Sequence, residues 1–387
     1  MSGYVSKHSG PQEKVEKKKK GGIFRFILRL IGTLLLIVIL LAGGLIGYLS
    51  ATEYKPADRE DVAFEGEASD KLTADKPFTI MTWNIGYGAL GDNADFFMDG
   101  GTMVKTASKK RVDNNLDDIV RFAVEKEPDI VFFQETDVDS SRSYHINELQ
   151  KLRESLPGYL SGFANNFKVA FLPYPVPPIG KVDSGIATFS AYPVTASERV
   201  QLPVPFTWPV RMANLKRCVL VSRLPVEGSD KELVLFNLHL EAYDDGEGKA
   251  AQTKMLAGLL EIEAEKGNYV IAGGDFNQIF SNEDTSVYPA QEGKWQAGEI
   301  DVDEFNGDWQ FIMDESTPSC RSLDQKYEGA DKDSFQYYLI DGFIVSDNIK
   351  VNSAVTEDLG FAASDHNPVT MELVLNKPAG ESDNDKQ

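Results

Sequence analysis

A run of twenty uncharged residues, LIGTLLLIVILLAGGLIGYL from Leu30 to Leu49, constrains this chain more than any other feature. As a helix it would be about 30 Å long, which matches the hydrocarbon core of a bilayer. Its apolar residues would cover every face, whereas a helix packed on a soluble core needs only one apolar stripe. The run therefore predicts a single transmembrane helix, which we place at residues 30–50.

The residues before this run are basic and include Lys17–Lys20, Arg25 and Arg29. Basic residues stay on the cytoplasmic side of a membrane. Residues 1–29 are therefore predicted to be a cytoplasmic tail, and the rest of the chain is predicted to lie outside the cell membrane. A cleaved signal peptide is the alternative, but its apolar core would be unusually long and YLSATEY is a poor cleavage site. The sequence favours a retained anchor.

The charge of the chain is strongly acidic, with a net value of −21. Because residues 1–50 carry a net +6, the remainder carries −27. Such a domain repels polyanions at long range, which counts against nucleic acid as the favoured partner without excluding a local positive cleft.

Three segments follow the apolar run. Residues 51–77 are acidic and poor in large apolar side chains, so we predict that they form a linker. Residues 377–387 are polar, so we predict a disordered tail there. Residues 78–376 are expected to form one domain. Helical periodicity is clear in residues 110–127 and 249–267, and each of these helices is followed at once by an apolar strand. The many strands and few helices predict an α/β domain in which helices cover two stacked sheets, with a loop in the proline-rich tract 171–184.

Polar residues recur at the ends of the predicted strands. A single Asp, Asn or His after a strand is usually turn chemistry or a structural hydrogen bond. Here the pattern repeats at six strand ends, with Asn84, Glu135, His239, Asp275 and Asn277, Asp341, and Asp365 and His366. Carboxylates and an amide without a thiolate suit Mg²⁺, and histidines beside a metal suit proton transfer. The pattern predicts a metal-assisted phosphoryl-transfer site.

The two cysteines, Cys218 and Cys320, are too few to form a disulfide framework, although outside the membrane they could pair. The strand-like RCVLVSRL around Cys218 favours a buried free thiol there. Neither cysteine has histidine and carboxylate neighbours in the sequence, so no thiol nucleophile and no zinc cluster are predicted.

Seven short motifs resemble those of the endonuclease/exonuclease/phosphatase superfamily, which includes deoxyribonucleases, apurinic endonucleases and bacterial sphingomyelinases. In chain order they are TWNIG, FFQE, SGIATFSAYP, NLHL, GGDFN, IDGFIVS and SDHNPV. The resemblance implies a four-layer αββα sandwich of two mixed β-sheets flanked by helices. It also implies a metal site with Glu135 as ligand, Asn84 in support and Asp365 near the ion, which would be Mg²⁺ or Mn²⁺.

The same resemblance implies roles for the remaining strand-end residues. His366 would be the general base, and Asp341 would orient it. Asp275 would lie against the attacking water or the leaving oxygen, and Asn277 against a phosphate oxygen. His239 would stabilise or protonate the departing group.

Three further residues and one loop are interpreted with an alternative left open. Asp183 falls near the position of an acidic partner of His239, but it could equally be a solvated turn residue. Arg142 and His145 could contact substrate beside Glu135, or could cap the next helix. The loop containing Phe206 and Trp208 could contact lipid or bases, or could simply pack on a sheet.

We therefore predict a membrane-anchored, metal-dependent phosphodiesterase or phosphatase that acts on the outer face. A small-molecule or lipid-linked phosphoester is favoured as substrate, and a monomer is assumed. One alternative is a surface endonuclease or deoxyribonuclease, which would need a basic groove with stacking aromatics. A second alternative is a non-catalytic surface binding module.

Overall fold

The computed structural model describes residues 3, 5, 9–11, 20–244 and 246–377. The chain divides into two compact units, Met1–Ala51 and Thr52–Gln387. About half of the predicted basic tail 1–29 and nearly all of the predicted polar tail 377–387 lie outside the described residues.

The first unit is dominated by one helix, α1 (Lys20–Ala51), which contains the apolar run. Its segment Gly22–Ala51 has a mean hydropathy of 2.7 and is long enough to cross a membrane. A membrane anchor and a signal sequence both fit this length and composition.

The second unit contains three α-helices and eighteen strands within the described residues. The helices are α2 (Lys109–Lys126), α3 (Glu148–Ser155) and α4 (Glu247–Glu265). The first nine strands are β1 (Arg59–Asp61), β2 (Glu65–Gly66), β3 (Pro77–Asn84), β4 (Ile130–Asp137), β5 (Leu160–Leu172), β6 (Gly180–Ser190), β7 (Ala196–Gln201), β8 (Cys218–Pro225) and β9 (Glu232–His239). The others are β10 (Tyr269–Asp275), β11 (Gln278–Phe280), β12 (Gly298–Ile300), β13 (Trp309–Ile312), β14 (Cys320–Arg321), β15 (Tyr337–Tyr338), β16 (Asp341–Ser346), β17 (Ile349–Thr356) and β18 (Val369–Leu375).

Fourteen of these strands form two sheets of seven. The first sheet has the order β1-β7-β8-β9-β10-β16-β13, and the second has the order β17-β18-β3-β4-β6-β5-β2. Each sheet has one parallel pair, β9 with β10 and β3 with β4, and the other neighbours are antiparallel. Both sheets are therefore mixed, as predicted.

Side-chain alternation along the strands builds the layers. In β4, Ile130 and Phe132 face a core between the sheets, while Val131 and Phe133 face α2 and α3. On the other sheet, the opposite face of β10 packs against α4. The order of layers is helix, sheet, sheet, helix, which confirms the predicted sandwich.

The helix α2 forms where the sequence periodicity predicts it. Ser108 accepts the backbone N–H of Arg111 as an N-cap. Val112, Leu116 and Ile119 are buried on one face, so the helix is held by packing against its sheet. The helix α4 ends just before Gly267, whose φ of +76° closes it.

The structure differs from the sequence-based expectations in three respects. The proline-rich tract is a loop only between Leu172 and Gly180, because β5 and β6 extend into it from both sides as a hairpin. Polar residues interrupt the apolar pattern of β5, β7 and β17, so the sequence does not indicate these strands. Within the expected linker 51–77, β1 and β2 add edge strands to the two sheets.

A buried pair of amides links the two sheets near one end of the sandwich. Gln134 in β4 donates from Nε2 to Asn237 Oδ1 in β9 at 2.9 Å. Asn237 in turn donates to the carbonyl of Ala187 in β6 at 2.9 Å. Both amide side chains are fully buried, so these hydrogen bonds add a specific contact to the apolar core that joins the two sheets.

Candidate active site

Three polar residues of the first sheet lie side by side because of strand register. Asp275, at the end of β10, is paired with His239 at the end of β9 and with Asp341 at the start of β16. Directly paired residues project to the same face of a sheet. Register alone therefore brings these three predicted site residues together.

The second sheet contributes Asn84 and Glu135 from the ends of its parallel strands. Asn84 donates from Nδ2 to Asp275 Oδ2 at 3.0 Å and lies 3.5 Å from Glu135 Oε1. Its Oδ1 accepts the backbone N–H of Gly86 at 3.1 Å. In this geometry Asn84 orients the two carboxylates through its amide nitrogen.

Two site residues have a left-handed backbone. Glu135 has a φ of +54°, and Asn277 has a φ of +51°. The pairing of β4 with β6 shifts between Phe133 and Thr136, which makes a bulge around Glu135. Bulges re-aim side chains, and strained residues of this kind cluster at functional sites.

Gly273 and Gly274 precede Asp275 at the end of β10, where neighbouring strands leave no room for a side chain. A Cβ on Gly273 would lie 2.5 Å from the Phe343 ring, and one on Gly274 would lie 2.0 Å from the Leu238 carbonyl oxygen. The glycines are therefore required by packing between neighbouring strands.

His366 lies against two carboxylates. Its Nδ1 is 2.7 Å from Asp341 Oδ2, and its Nε2 is 3.8 Å from Asp275 Oδ2. Trp83 donates from Nε1 to the His366 carbonyl at 2.9 Å and holds the backbone in place. Burial alone would lower the pKa of His366, but Asp341 and Cys320 outweigh it and raise that pKa well above its ordinary value.

His239 lies on the other side of Asp275 in a different environment. Its Nε2 is 3.3 Å from Asp275 Oδ2. Its Nδ1 has no hydrogen-bond partner among residues 20–244 and 246–377. Burial, with a smaller contribution from the Arg217 guanidinium, lowers the pKa of His239 well below its ordinary value, so the ring is neutral.

Asp183 does not pair with His239 as the sequence suggested. Its carboxylate accepts from Asn165 Nδ2 at 2.7 Å and from Lys168 Nζ at 2.9 Å. The residue is buried within β6, so the alternative of a solvated turn is also wrong.

Arg142 and His145 lie in different environments. Arg142 bonds both oxygens of Asp137, at 3.1 and 2.9 Å, and its guanidinium lies 3.7 Å from the centre of the Tyr87 ring. His145 Nδ1 contacts Asp139 at 2.6 Å and is solvent-exposed. Neither residue caps α3, because Asn147 accepts the N–H of Gln150 there.

One cavity of about 740 Å³ opens over this constellation. Seven predicted site residues line it, which are Glu135, Arg142, His239, Asp275, Asn277, Asp365 and His366. Asn84 and Asp341 support these residues from behind, while Asp183 and His145 lie outside the lining. Most of the predicted residues are thus able to contact a single ligand.

The remaining walls of the cavity are mostly apolar. They include Phe97, Leu172, Ile179, Phe206, Val210 and Leu215. At the mouth, Tyr174 and Val210 are 69% and 58% exposed, and the neighbouring Val176 and Trp208 are exposed as well. A contiguous exposed apolar patch marks a surface that contacts a ligand, a protein or a membrane.

The carboxylates of the site fit a divalent cation. Burial, followed by the charge of Asp341, raises the pKa of Asp275 to about 7. Burial also raises the pKa of Asp365 to about 6, to which Glu135 contributes. Asp341 Oδ1 is buried without a hydrogen-bond partner in the described part of the chain. So many buried carboxylates are costly without a nearby positive charge, and oxygen donors suit Mg²⁺ or Mn²⁺.

Cys320 is a residue of the site that sequence reasoning missed. Both cysteines are free and buried, and Cys320 lines the cavity beside His366. Cys320 therefore has a histidine and a carboxylate beside it in space, although it has neither beside it in the sequence. The contact joins two segments 46 positions apart, and no short-range sequence pattern signals it.

Comparisons with known proteins agree with this architecture. No curated protein sequence matches the chain. An endonuclease/exonuclease/phosphatase from Beutenbergia cavernae is 18% identical, with a TM-score of 0.51 over 78% of this chain and 72% of that one. A family protein from Bacteroides thetaiotaomicron is 17% identical, with a TM-score of 0.50 over 78% and 96%. ANGEL2, a 2′,3′-cyclic phosphatase solved with adenosine-2′,3′-vanadate, is 14% identical, with a TM-score of 0.50 over 81% and 99%.

At these identities the neighbours establish the fold, and the family assignment rests on a sequence profile. The profile of the Endonuclease/Exonuclease/phosphatase family matches residues 81–366, which contain every strand-end residue described above. Members of this family hydrolyse phosphoester bonds and generally use divalent metals. This chain belongs to the endonuclease/exonuclease/phosphatase family.

Proposed function

We propose that the chain is a Mg²⁺-dependent hydrolase of phosphoester bonds, a phosphodiesterase or phosphatase that acts on the outer face of a membrane. The observation that carries this proposal is the convergence of both sheets on Asp275. Its Oδ2 lies within 4 Å of Asn84, His239 and His366, at the base of one cavity. A binding module without catalysis would not need two buried histidines around a buried carboxylate.

Glu135 and Asp365 are the residues that would hold the metal, with Asn84 fixing the orientation of Glu135. When bound there, Mg²⁺ supplies positive charge to a phosphate oxygen. Mn²⁺ has the same preference for oxygen ligands and is the other candidate.

His366 is proposed as the general base. Asp341 accepts the Nδ1 proton, which leaves Nε2 free to accept a proton from the attacking water. Asp275 Oδ2 lies 3.8 Å from that nitrogen and is placed to orient the same water. In this proposal His366 removes a proton from the attacking water and Asp341 orients the imidazole, as an orienting carboxylate does for the base in other hydrolases.

His239 and Asn277 are proposed to stabilise the charge that develops on phosphate and leaving group. Since its lowered pKa keeps His239 neutral, it acts as a hydrogen-bond donor rather than as an acid. Asn277 uses one N–H of its amide on the Leu240 carbonyl at 3.0 Å, which leaves the other for an oxygen of the substrate.

The walls of the cavity favour a substrate with a large apolar or aromatic group next to its phosphoester. Binding of a polyanionic duplex would be unfavourable, because the acidic domain repels the phosphates and the cleft is apolar rather than basic. We therefore favour a small-molecule or lipid-linked phosphoester. The surface endonuclease remains the alternative that the assay below distinguishes.

The location rests on α1. If α1 is a retained anchor, the basic residues that precede it place the catalytic domain outside the cytoplasm. Protease treatment of intact cells tests this directly: digestion of the catalytic domain is expected, and its full protection would contradict the proposed orientation.

The activity is tested with the full-length chain in detergent micelles. Release of phosphate or headgroup is measured from sphingomyelin-type lipid, inositol phosphates, nucleotides and DNA, with Mg²⁺ and with chelator. We expect hydrolysis of a lipid or small phosphoester that requires the metal. Cleavage of DNA alone would favour the endonuclease, and no release from any substrate would favour the binding module.

His366→Ala and His145→Ala are matched variants for this assay. The first removes the proposed base, while the second removes an exposed histidine outside the cavity lining. Turnover should disappear only in His366→Ala, and retained turnover in that variant would refute the assignment.

A further inference from the structure

Two short segments lie side by side at the wall of the cavity. Cys320 faces His366 in an isolated antiparallel bridge. Arg321 donates its backbone N–H to the Asp365 carbonyl at 3.1 Å, and Asn367 donates to the Ser319 carbonyl at 2.8 Å. Residues directly opposite in an antiparallel pair project to the same side. The Cys320 thiol and the His366 imidazole therefore share one face.

Asp365 completes a cluster with this pair. One donor atom each from Cys320, Asp365 and His366 lies within 4.8 Å of the other two. Each residue is only 6% exposed, and all three line the cavity. A cation that enters the cavity thus meets a thiol, a carboxylate and an imidazole at one point.

We propose that Cys320, Asp365 and His366 form a binding site for a thiophilic divalent cation of the Zn²⁺ class. Zn²⁺ binds cysteine, histidine and carboxylate ligands, and three protein ligands leave a fourth position for water. Mg²⁺ prefers oxygen ligands and gains nothing from a thiolate. The donor set therefore selects the softer ion over the one proposed for catalysis.

The orientation of His366 suits this role. Asp341 occupies Nδ1, so Nε2 is the nitrogen left for a metal. Metal-binding histidines typically present one nitrogen to the ion and the other N–H to a carboxylate in this way.

Occupancy of the cluster inhibits turnover, a consequence that rests on the proposed function. A cation on Nε2 removes the lone pair that would accept the proton of water. Asp365 belongs to both metal sites, so the two ions also compete for it.

The second cysteine provides a matched control. Cys218 is buried in a separate apolar cluster with Ala164, Ile186 and Leu220, and its Sγ is 3.7 Å from the Asn165 carbonyl. It does not line the cavity. The two thiols are therefore both buried but differ in access to a histidine and a carboxylate.

The test is a titration of the untagged full-length chain in detergent with Cd²⁺, monitored by the thiolate-to-metal charge-transfer absorbance. A band is expected in the wild-type chain and in Cys218→Ser, absent in Cys320→Ser and Cys320→Ala, and abolished by added Zn²⁺. Asp341→Asn should keep the band with about tenfold weaker affinity. Melting curves of each variant establish that it is folded.

No band in the wild-type chain, or a band that persists in folded Cys320→Ser, would overturn the site. This readout needs no substrate, so it is independent of the proposed function. In the hydrolysis assay, Zn²⁺ should inhibit wild type and Cys218→Ser at lower concentrations than Cys320→Ser, each compared with its own rate without Zn²⁺. Equal sensitivity would overturn the inhibitory role.

Discussion

Two buried histidines lie on either side of Asp275, and their surroundings differ. His366 has its Nδ1 on Asp341 at 2.7 Å, whereas His239 has an Nδ1 without a partner in the described residues. The carboxylate beside His366 raises its pKa, while burial followed by the charge of Arg217 lowers the pKa of His239. Two histidines that line one cavity thus have pKa values shifted in opposite directions.

The difference teaches how a single site can divide the work of proton transfer and charge stabilisation. The carboxylate on Nδ1 makes His366 a stronger base whenever its Nε2 is deprotonated, and the neutral His239 donates a hydrogen bond without first taking up a proton. If this division is right, the two residues and their partners should respond to substitution with unequal losses.

The largest effect is expected for His366→Asn. Removing a general base costs about 10²–10⁴-fold in turnover, and we expect the upper end here because no other buried histidine faces Asp341 in the described chain. The kcat measured with the best substrate checks it. His145→Asn should retain full turnover, and equal losses in both variants would mean that the effect is not specific to the site.

Asp341→Asn should cost about 10²–10³-fold, because the amide cannot hold the imidazolium that forms during proton transfer. The loss should fall on kcat with little change in KM. A change confined to KM would indicate that Asp341 acts in binding and would break the contrast between the two histidines.

His239→Gln should cost about 10²-fold, since glutamine keeps a donor but not its position. The comparison with Arg217→Met sharpens this prediction. Without the guanidinium, the pKa of His239 should rise, and the activity of Arg217→Met should fall as the pH is lowered toward 6. A pH profile identical to wild type would show that Arg217 does not influence His239.

The smallest effect is expected in the metal-free chain, where the pKa values of His366 and His239 should shift in opposite directions. By NMR, His366 should stay protonated above its ordinary pKa of 6.5, and His239 should stay neutral below it. A raised pKa stabilises the fold below pH 6.5, and this contribution is lost as the pH rises through the folded value. The lowered pKa of His239 acts with the opposite sign and costs stability as the pH falls below 6.5. Coincident curves would remove the basis of the comparison.

Much of the site could be predicted because it depends on where strands end. Asn84, His239, Asp275 and Asp341 stand at strand termini that the apolar pattern marks, and Glu135 lies two residues before the end of β4. Adjacent strands bring their termini to one edge. The two mixed sheets and the outer helices were predictable for the same reason. The family motifs then supplied roles that no pattern contains.

Other contacts could not be predicted, because they depend on register or on loops. The partner of Asp183 is decided by the pairing of β5 with β6, whose register shifts twice. Cys320 reaches His366 through an isolated bridge between segments without periodicity. The length of the loop in the proline-rich tract depends on how far β5 and β6 pair with each other, and this pairing overrides the local preference of proline for turns.

The amide pair between Gln134 and Asn237 has a consequence for heat inactivation. The proposed metal ligands come from one sheet and from the segment before β18, while His239, Asp275 and Asp341 come from the other sheet. If one sheet shifted by about 1 Å relative to the other, the side chains proposed to contact the same phosphate group would move apart. Warming should therefore abolish hydrolysis at a temperature below that at which the helices and strands melt.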